Sequence, residues 1–366
     1  MNRITISLSV ILTTAILIYS QTTEFSIFQE VNALPPDPLV SPDAPVKNVL
    51  LIANETVVQV APDNPLHPGG ITYAAMTFNN TIPAPVIGAD QGDILNVTLK
   101  NAGKVIHSMD FHASIGPSKV LSGNIAPGES KTWEVPLPNP GVFLYHCGAD
   151  ALNGVWEHIA NGMYGAIVVH PKMEKPAKEF YVVFSEIFNT ADQGAFKGTN
   201  GTVGTFDIAK FLDNNPDLVL TNGMAHKYVP SVGQQAKLTL NPDAEVFKVK
   251  PGELTRWYIV NPGPNGYTAF HFISGQMDVR DGTNAARDDY GTLLLNEETY
   301  TIPPGSASVI EAVFPEEGTY VAVDHAMDRV VKGAAFAVVA TPDASDDDHP
   351  VGTAVAPKGS PTVAAP

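Results

Sequence analysis

A single cysteine, Cys147, is all that 366 residues provide, so no internal disulfide can staple the chain. Such a thiol is either an inert buried side chain or one with a task, and its neighbours decide which. Basic residues are also few: 21 Lys and Arg stand against 38 Asp and Glu, for a formal charge of −17. Phosphate backbones are bound by clustered Lys and Arg, so no nucleic-acid partner is expected. The acidity serves solubility or a docking face for a basic partner. Charged residues reach only 16%, against 30 Gly and 31 Pro, which suits strands and turns better than long helices. Helical patterns are scarce, IAKFLDNN (208–215) being one short candidate. Apolar runs long enough to approach a membrane span occur only at the N-terminus, where Arg3 precedes the apolar or hydroxylated stretch Ile4–Tyr19. Residues 1–25 therefore read as a signal peptide or N-terminal anchor, slightly short for a spanning helix. An exported, periplasmic or extracytoplasmic protein is expected, with cleavage and anchoring left open.

What is present is a succession of short runs rich in Val, Ile, Tyr and Phe between Pro/Gly turns. Examples are VLLIANETVVQVA (49–61), DILNVTL (93–99), GAIVVH (165–170), LTRWYIV (254–260) and TYVAVD (319–324). This pattern predicts an all-β fold of sandwich type. The chain also repeats itself. QGDILNVTLKN (91–101) matches PGELTRWYIVN (251–261), with Gly nine residues before Asn in each. APGESKTWEVPLPNPGVFLYHCG (126–148) matches PPGSASVIEAVFPEEGTYVAVDH (303–325). A duplicate at so long a period means two like domains. We place them at 45–172 and 173–340, after a Pro-rich lead-in (26–44). The tail, 341–366, is too poor in apolar residues to fold and is expected to be disordered.

The first copy contains HSMDFH (107–112), LYHCG (144–148) and WEHIANGM (156–163). His107, Cys147, His158 and Met163 form a soft set of two imidazoles, one thiolate and a weak thioether, which suits a mononuclear electron-transfer copper. A lone Met is usually core and a lone buried His usually structural; the full set inside a β-sandwich favours the metal. His112 and His146 remain. His146 adjoins Cys147, so strand alternation turns the two side chains to opposite faces and lets each serve a different metal. In the second copy Asp324 stands opposite Cys147, His325 opposite Gly148 and His271 near Asp110. That copy lacks a thiolate, but His325 offers a third imidazole. Three neutral histidines with an open position make a catalytic metal site.

HSMDFHA, FLYHCG, HIANGMYGAIVV, FHFISG and VDHAM together resemble the copper-containing, nitric-oxide-forming nitrite reductases, over nearly the whole mature chain. The resemblance implies two tandem cupredoxin-like Greek-key β-sandwich domains and two coppers per chain. It implies that His107, Cys147, His158 and Met163 hold the type 1 copper, and that His112, His146 and His325 hold the type 2 copper. Asp110 and His271 are the implied catalytic pair, and Ile273 the apolar residue crowding the substrate. It further implies a homotrimer in which His325 crosses a subunit boundary, nitrite as substrate and a small redox protein as electron donor. The electron is implied to pass through Cys147–His146, while Asp110 and His271 supply protons. One departure is the ten-residue segment GADALNGVWE between Cys147 and His158, two or three residues longer than the family usually has. It bears on donor docking and copper colour and leaves the ligand set intact.

Two rivals differ in class. A laccase-like multicopper oxidase needs paired histidines for a trinuclear cluster, yet Asp110, Gly148 and Ile273 occupy positions where such pairs need His. A non-catalytic electron-transfer or copper-storage protein leaves Asp110, His271 and His325 without a use. His67, His170 and His349 sit outside any ligand motif, and His226 reads as structural or surface. Four sequons, at Asn54, Asn79, Asn96 and Asn200, permit glycosylation of an exported chain.

Overall fold

The computed structural model describes residues 40–358 apart from 42, 115–122, 150–153, 195–196, 198–200, 235–236, 282–290, 351, 354 and 356–357. These residues lie in the second of two compact units, 1–39 and 40–366. The N-terminal segment read as a signal peptide or anchor, Asn200 and part of the long 148–157 loop lie outside the described residues. Among those described, no helix is long and apolar enough to cross a membrane.

The architecture is predominantly β, as cupredoxin-like domains are. The first half contains β1 (Val46–Ala61), β2 (Ile71–Phe78), β3 (Ile87–Asp90), β4 (Ile94–Asn101), β5 (Asp110–Phe111), β6 (Ser130–Pro136) and β7 (Gly141–His146), then the short helix α1 (Val155–Ala160) and β8 (Tyr164–His170). The second half begins with β9 (Lys178–Ile187), the helix α2 (Ile208–Leu212), β10 (Leu218–Thr221), β11 (Ser231–Gln234), β12 (Lys237–Leu240), β13 (Phe247–Val249) and β14 (Leu254–Gly263). It continues with β15 (Thr268–Phe272), β16 (Met277–Asp281), β17 (Thr292–Glu297), β18 (Thr299–Ile302), β19 (Ser306–Val313), β20 (Gly318–Asp324), the helix α3 (Met327–Val331) and β21 (Ala335–Ala340).

The same strand order recurs in the two halves of the chain. The first half forms sheets β2-β1-β4-β6 and β3-β8-β7-β5; the second half forms β10-β9-β14-β19 and β13-β21-β20-β15 in the same relative order. β16 and β17 extend one of the later sheets and β18 the other, while β11 and β12 form a separate hairpin. The matched asparagines do the same job in both copies. Asn101 Nδ2 donates to the Val105 and Ile125 carbonyls, and Asn261 Nδ2 to those of Gly266 and Ile302. Each Oδ1 accepts from the amide two residues on, Gly103 or Gly263. A buried amide so satisfied fixes the turn where the strand ends.

Alternation sets the cores. In β4, Leu95, Val97 and Leu99 turn inward while the intervening residues are partly exposed. They pack with Trp133, Val135, Met109, Tyr145, Cys147 and Met163 in the first core. The second core centres on Trp257, stacked on Phe180 (4.3 Å) and Phe336 (5.4 Å between ring centroids). β8 and most of β9 are buried on both faces. They lie where the halves meet, in a third cluster containing Val142, Leu144, Tyr164, Tyr181, Tyr258 and Val309. Part of the 341–366 segment, expected to be disordered, packs here instead. Ala344, Thr353 and Val355 are buried, Val355 joins the junction cluster, and the Tyr181 N–H donates to the Thr353 carbonyl at 2.5 Å. A few small side chains suffice because they dock on a finished sheet and need no core of their own.

Candidate metal centres

β7 ends at His146, and Cys147 continues it into the core. The Cys147 N–H donates to the Met163 carbonyl (3.1 Å), and the Met163 N–H to the His158 carbonyl (3.1 Å). The residues on either side of the long loop are thus tied together by backbone. His158 rides on α1, whose Trp156 stacks on Phe211 of α2 at 5.3 Å. His107 comes from the segment before β5, bridged to Ile125.

All four side chains are buried. Nδ1 of His158 lies 3.2 Å and Nδ1 of His107 3.9 Å from Cys147 Sγ, and the donor atoms of the three residues are all within 4.8 Å of one another. The Ser108 and Ala149 amides each donate to Sγ at 3.4 Å. Burial pushes the thiol up to about 12, against the pull of those two amides. A thiol so placed stays protonated unless a cation compensates the thiolate, and two imidazole nitrogens facing it supply the rest of a soft-metal set. Met163 is buried in the same core cluster.

A carboxylate that sequence reasoning missed orients this group. Glu55 Oε1 lies 2.8 Å from His107 Nε2, which fixes a proton there and leaves Nδ1 for a metal. Burial raises the Glu55 carboxyl, but His107 and the Lys104 and Val105 amides outweigh it, and the net shift is downward. No local motif marks Glu55: it sits in β1, far from His107 in sequence, and only β1–β4 pairing brings it near.

The second cluster is Asp110, His112 and His146, again with donor atoms within 4.8 Å of one another. Asp110 pairs with His146 across β5 and β7. The Nε2 atoms of His112 and His146 are 3.0 Å apart, and Asp110 Oδ2 is 3.6 Å from His146 Nε2. His146 Nδ1–H donates to the Cys147 carbonyl (2.9 Å), which aims its Nε2 at His112. Desolvation and His146 lower the His112 pKa, while Asp110 and the Gly305 carbonyl oppose them. The His112 ring is thereby favoured in its neutral form, as a metal ligand must be. Cys147 and His146 serve different clusters, so one peptide bond joins the two.

His271 and His325 form a pair of their own, ring centroids 5.3 Å apart. His271 Nδ1–H donates to the Glu298 carbonyl at 2.5 Å, with Thr299 Oγ1 3.5 Å from the same nitrogen. Ile273 follows on the same face, 46% exposed. His325 is exposed and is not part of the Asp110–His112–His146 cluster.

His170, His67 and His226 have protein partners of their own. His170, Glu174 and Glu179 lie close together, but Arg256 Nη1 is 3.2 Å from Glu174 and 3.0 Å from Glu179, and Nη2 is 2.7 Å from Glu311. A guanidinium already serves those carboxylates. His226, expected as structural or surface, is buried and lies 2.8 Å from His67, whose Nδ1–H donates to the Lys197 carbonyl at 2.9 Å.

Residues 60–174 match the multicopper oxidase family profile. A copper-containing nitrite reductase of Neisseria gonorrhoeae is 33% identical over 275 residues, 72% of this chain and 62% of the relative. One from Neisseria meningitidis serogroup A is 32% identical, covering 72% and 64%. The chain thus spans somewhat under two thirds of these curated relatives' length. A solved copper nitrite reductase from Nitrosomonas europaea has a TM-score of 0.70 and 31% identity, covering 84% of this chain and 98% of that one. A crystal structure of a multicopper oxidase matches at 0.62 and 24% identity, a likeness of fold alone.

Proposed function

This chain belongs to the family of the copper-containing nitrite reductases, and on that premise we propose that it reduces nitrite to nitric oxide. The reaction takes one electron and two protons; one N–O bond breaks and the departing oxygen leaves as water. The observation that carries the reading is the adjacency of His146 and Cys147, each in a separate cluster of copper-ligand type. Bound there, copper supplies a one-electron carrier at the thiolate and a Lewis acid for the substrate at the histidines.

The protein's own part is orientation and proton supply. His107, Cys147, His158 and Met163 hold the type 1 centre away from water. His112 and His146 hold the type 2 centre with His325. His325 is exposed and stands outside the cluster formed by Asp110, His112 and His146. That supports a homotrimer in which His325 completes a neighbour's site. Asp110, half-exposed beside His146, delivers one proton. His271 delivers the other from Nε2, its Nδ1–H being held by the Glu298 carbonyl. Ile273 presents apolar surface on the substrate side. In this reading the halves are two cupredoxin domains, the N-terminal segment exports the chain to the periplasm, and a small redox protein donates the electron.

The test is anaerobic nitrite turnover with an artificial donor, alongside copper content. Two coppers per chain and nitric oxide formation are expected. Fully loaded protein that makes no nitric oxide sinks the proposal. Four coppers per chain would mark an oxidase and one a carrier.

A further inference from the structure

The backbone matches the two halves residue by residue around the thiolate. The Cys147 N–H donates to the Met163 carbonyl; the Asp324 N–H donates to the Ala334 carbonyl (3.0 Å). The Met163 N–H donates to the His158 carbonyl; the Ala334 N–H donates to the Arg329 carbonyl (3.0 Å). Cys147 Sγ accepts from the amide after His107 and from the amide two residues beyond itself. Asp324 Oδ1 accepts from the amide after Thr268, Ala269 (2.9 Å), and from that of Ala326 (3.2 Å), two residues on. The four ligand positions of the first half thus carry Thr268, Asp324, Arg329 and Ala334 in the second.

The replacements form a buried ionic group. Arg329 Nε donates to Asp324 Oδ2 at 2.6 Å, and Arg329 Nη1 donates to Glu186 Oε1. Asp324 is 0%, Glu186 1% and Arg329 5% exposed. Glu186 also has a counterpart. Its Oε2 accepts from the Asn265 (2.9 Å) and Gly266 (3.0 Å) amides, the loop after Asn261. Glu55 accepts from Lys104, in the loop after Asn101, and bonds His107. A Cβ on Gly266 would stand 2.2 Å from Arg329 Nη1, so the guanidinium seats against bare backbone. One cation therefore ties together β9, the loop entering β15, the end of β20 and α3.

We propose that Arg329 is a positioning residue for the type 2 copper: its guanidinium occupies the place that a soft cation takes in the first half, and holds His325 and His271 in register. His325 follows Asp324 directly and donates its N–H to the Ala269 carbonyl (2.7 Å). His271 lies two residues beyond Ala269 on β15, paired with Val323. Both histidines hang from backbone that Asp324 grips through Ala269 and Ala326, and Arg329 fixes Asp324. A buried carboxylate deprived of its cation loses the contact that fixes it, and the strand end that carries His325 is free to shift.

The inference rests on reading His325 as a ligand of the second copper. Holoprotein is compared with Arg329→Gln, Arg329→Lys and the charge-balanced double variant Asp324→Asn/Arg329→Gln. Copper is withdrawn by a graded chelator while type 2 resonance and type 1 absorption are followed together. The type 2 dissociation constant is expected to rise about 10- to 100-fold in Arg329→Gln and the double variant, with type 1 absorption kept. Lys, a single-point donor, is expected to fall between these and wild type. Unchanged type 2 affinity in any folded Gln variant overturns the proposal. So does loss of both coppers in all three variants, which would make the group a general folding element. His325→Ala is the control: if it leaves the type 2 resonance intact, the ligand reading fails, whatever Arg329 does.

Discussion

The two halves share a sheet order, an asparagine-braced turn and a backbone frame around one buried position, yet only one of them gathers a metal set there. In the first, that frame brings His107, Cys147 and His158 together; in the second it holds Asp324 and Arg329. The difference lies in side chains hung on a common scaffold. The same scaffold also yields complementary roles. Asp110 pairs with the residue before Cys147, and His271 with the residue before Asp324. One strand position thus supplies a carboxylate in one half and an imidazole in the other, the two proposed proton donors.

The most severe way to break the comparison is at the thiolate. Cys147→Ala is expected to abolish the thiolate-to-copper absorption and lower copper from two to one per chain. Asp324→Cys, added to Cys147→Ala, is expected to restore no such band, because Thr268, Arg329 and Ala334 offer no partner ligands. Visible spectra and metal analysis check both, and a blue or green Cys147→Ala/Asp324→Cys protein would refute the correspondence. Next in size, Asp110→Asn and His271→Ala should each slow nitrite turnover about 10²- to 10⁴-fold while the type 1 spectrum stays unchanged. Equal activity in either variant would remove that residue from the proton path. A smaller effect is expected from Glu55→Gln. It replaces a charge-assisted acceptor of His107 with a neutral one, weakening an interaction of about 1.5–3 kcal/mol, and should raise the type 1 reduction potential. Spectroelectrochemistry reads this directly, and an unmoved potential would argue against the role.

The smallest effect concerns the staple between the halves. Burial, then His67, holds His226 down to about 3, and burial likewise lowers His67. The unfolded chain then binds protons that the folded one refuses, so this stability is complete above the ordinary value of 6.5. It is lost as pH falls from there toward about 3. Each such histidine adds at most about 1.4 kcal/mol per pH unit to the slope. Wild-type melting temperature should fall on acidification through that range, and His226→Gln should fall less steeply. Parallel curves would exclude His226 as a source of the acid sensitivity.

The metal-binding half was legible in the sequence because its ligand types are rare and clustered along the chain. Asp324 was legible because the turns on either side of it align. Arg329 was not. Cys147 and His158 are eleven residues apart, Asp324 and Arg329 only five, so the sequences cannot be aligned across that segment. Only the carbonyls of Met163 and Ala334 show the match. Glu55 was hidden for another reason: a lone carboxylate in a strand has no signature until pairing sets it against His107. The additional strands β16, β17 and β18 left no trace in the repeat, and His226 had no patterned neighbours to pair it with His67.

The amide of Cys147 and the carbonyl of Met163 close the segment between them on a single rung, as those of Asp324 and Ala334 do in the other half. Whatever chain departs there must return to the same place. Changes in length between Cys147 and His158 fall beyond that rung, which keeps Cys147 beside Met163. A segment closed in this way can differ in length and still bring Cys147 and Met163 to the same spot, while the surface beside the thiolate changes.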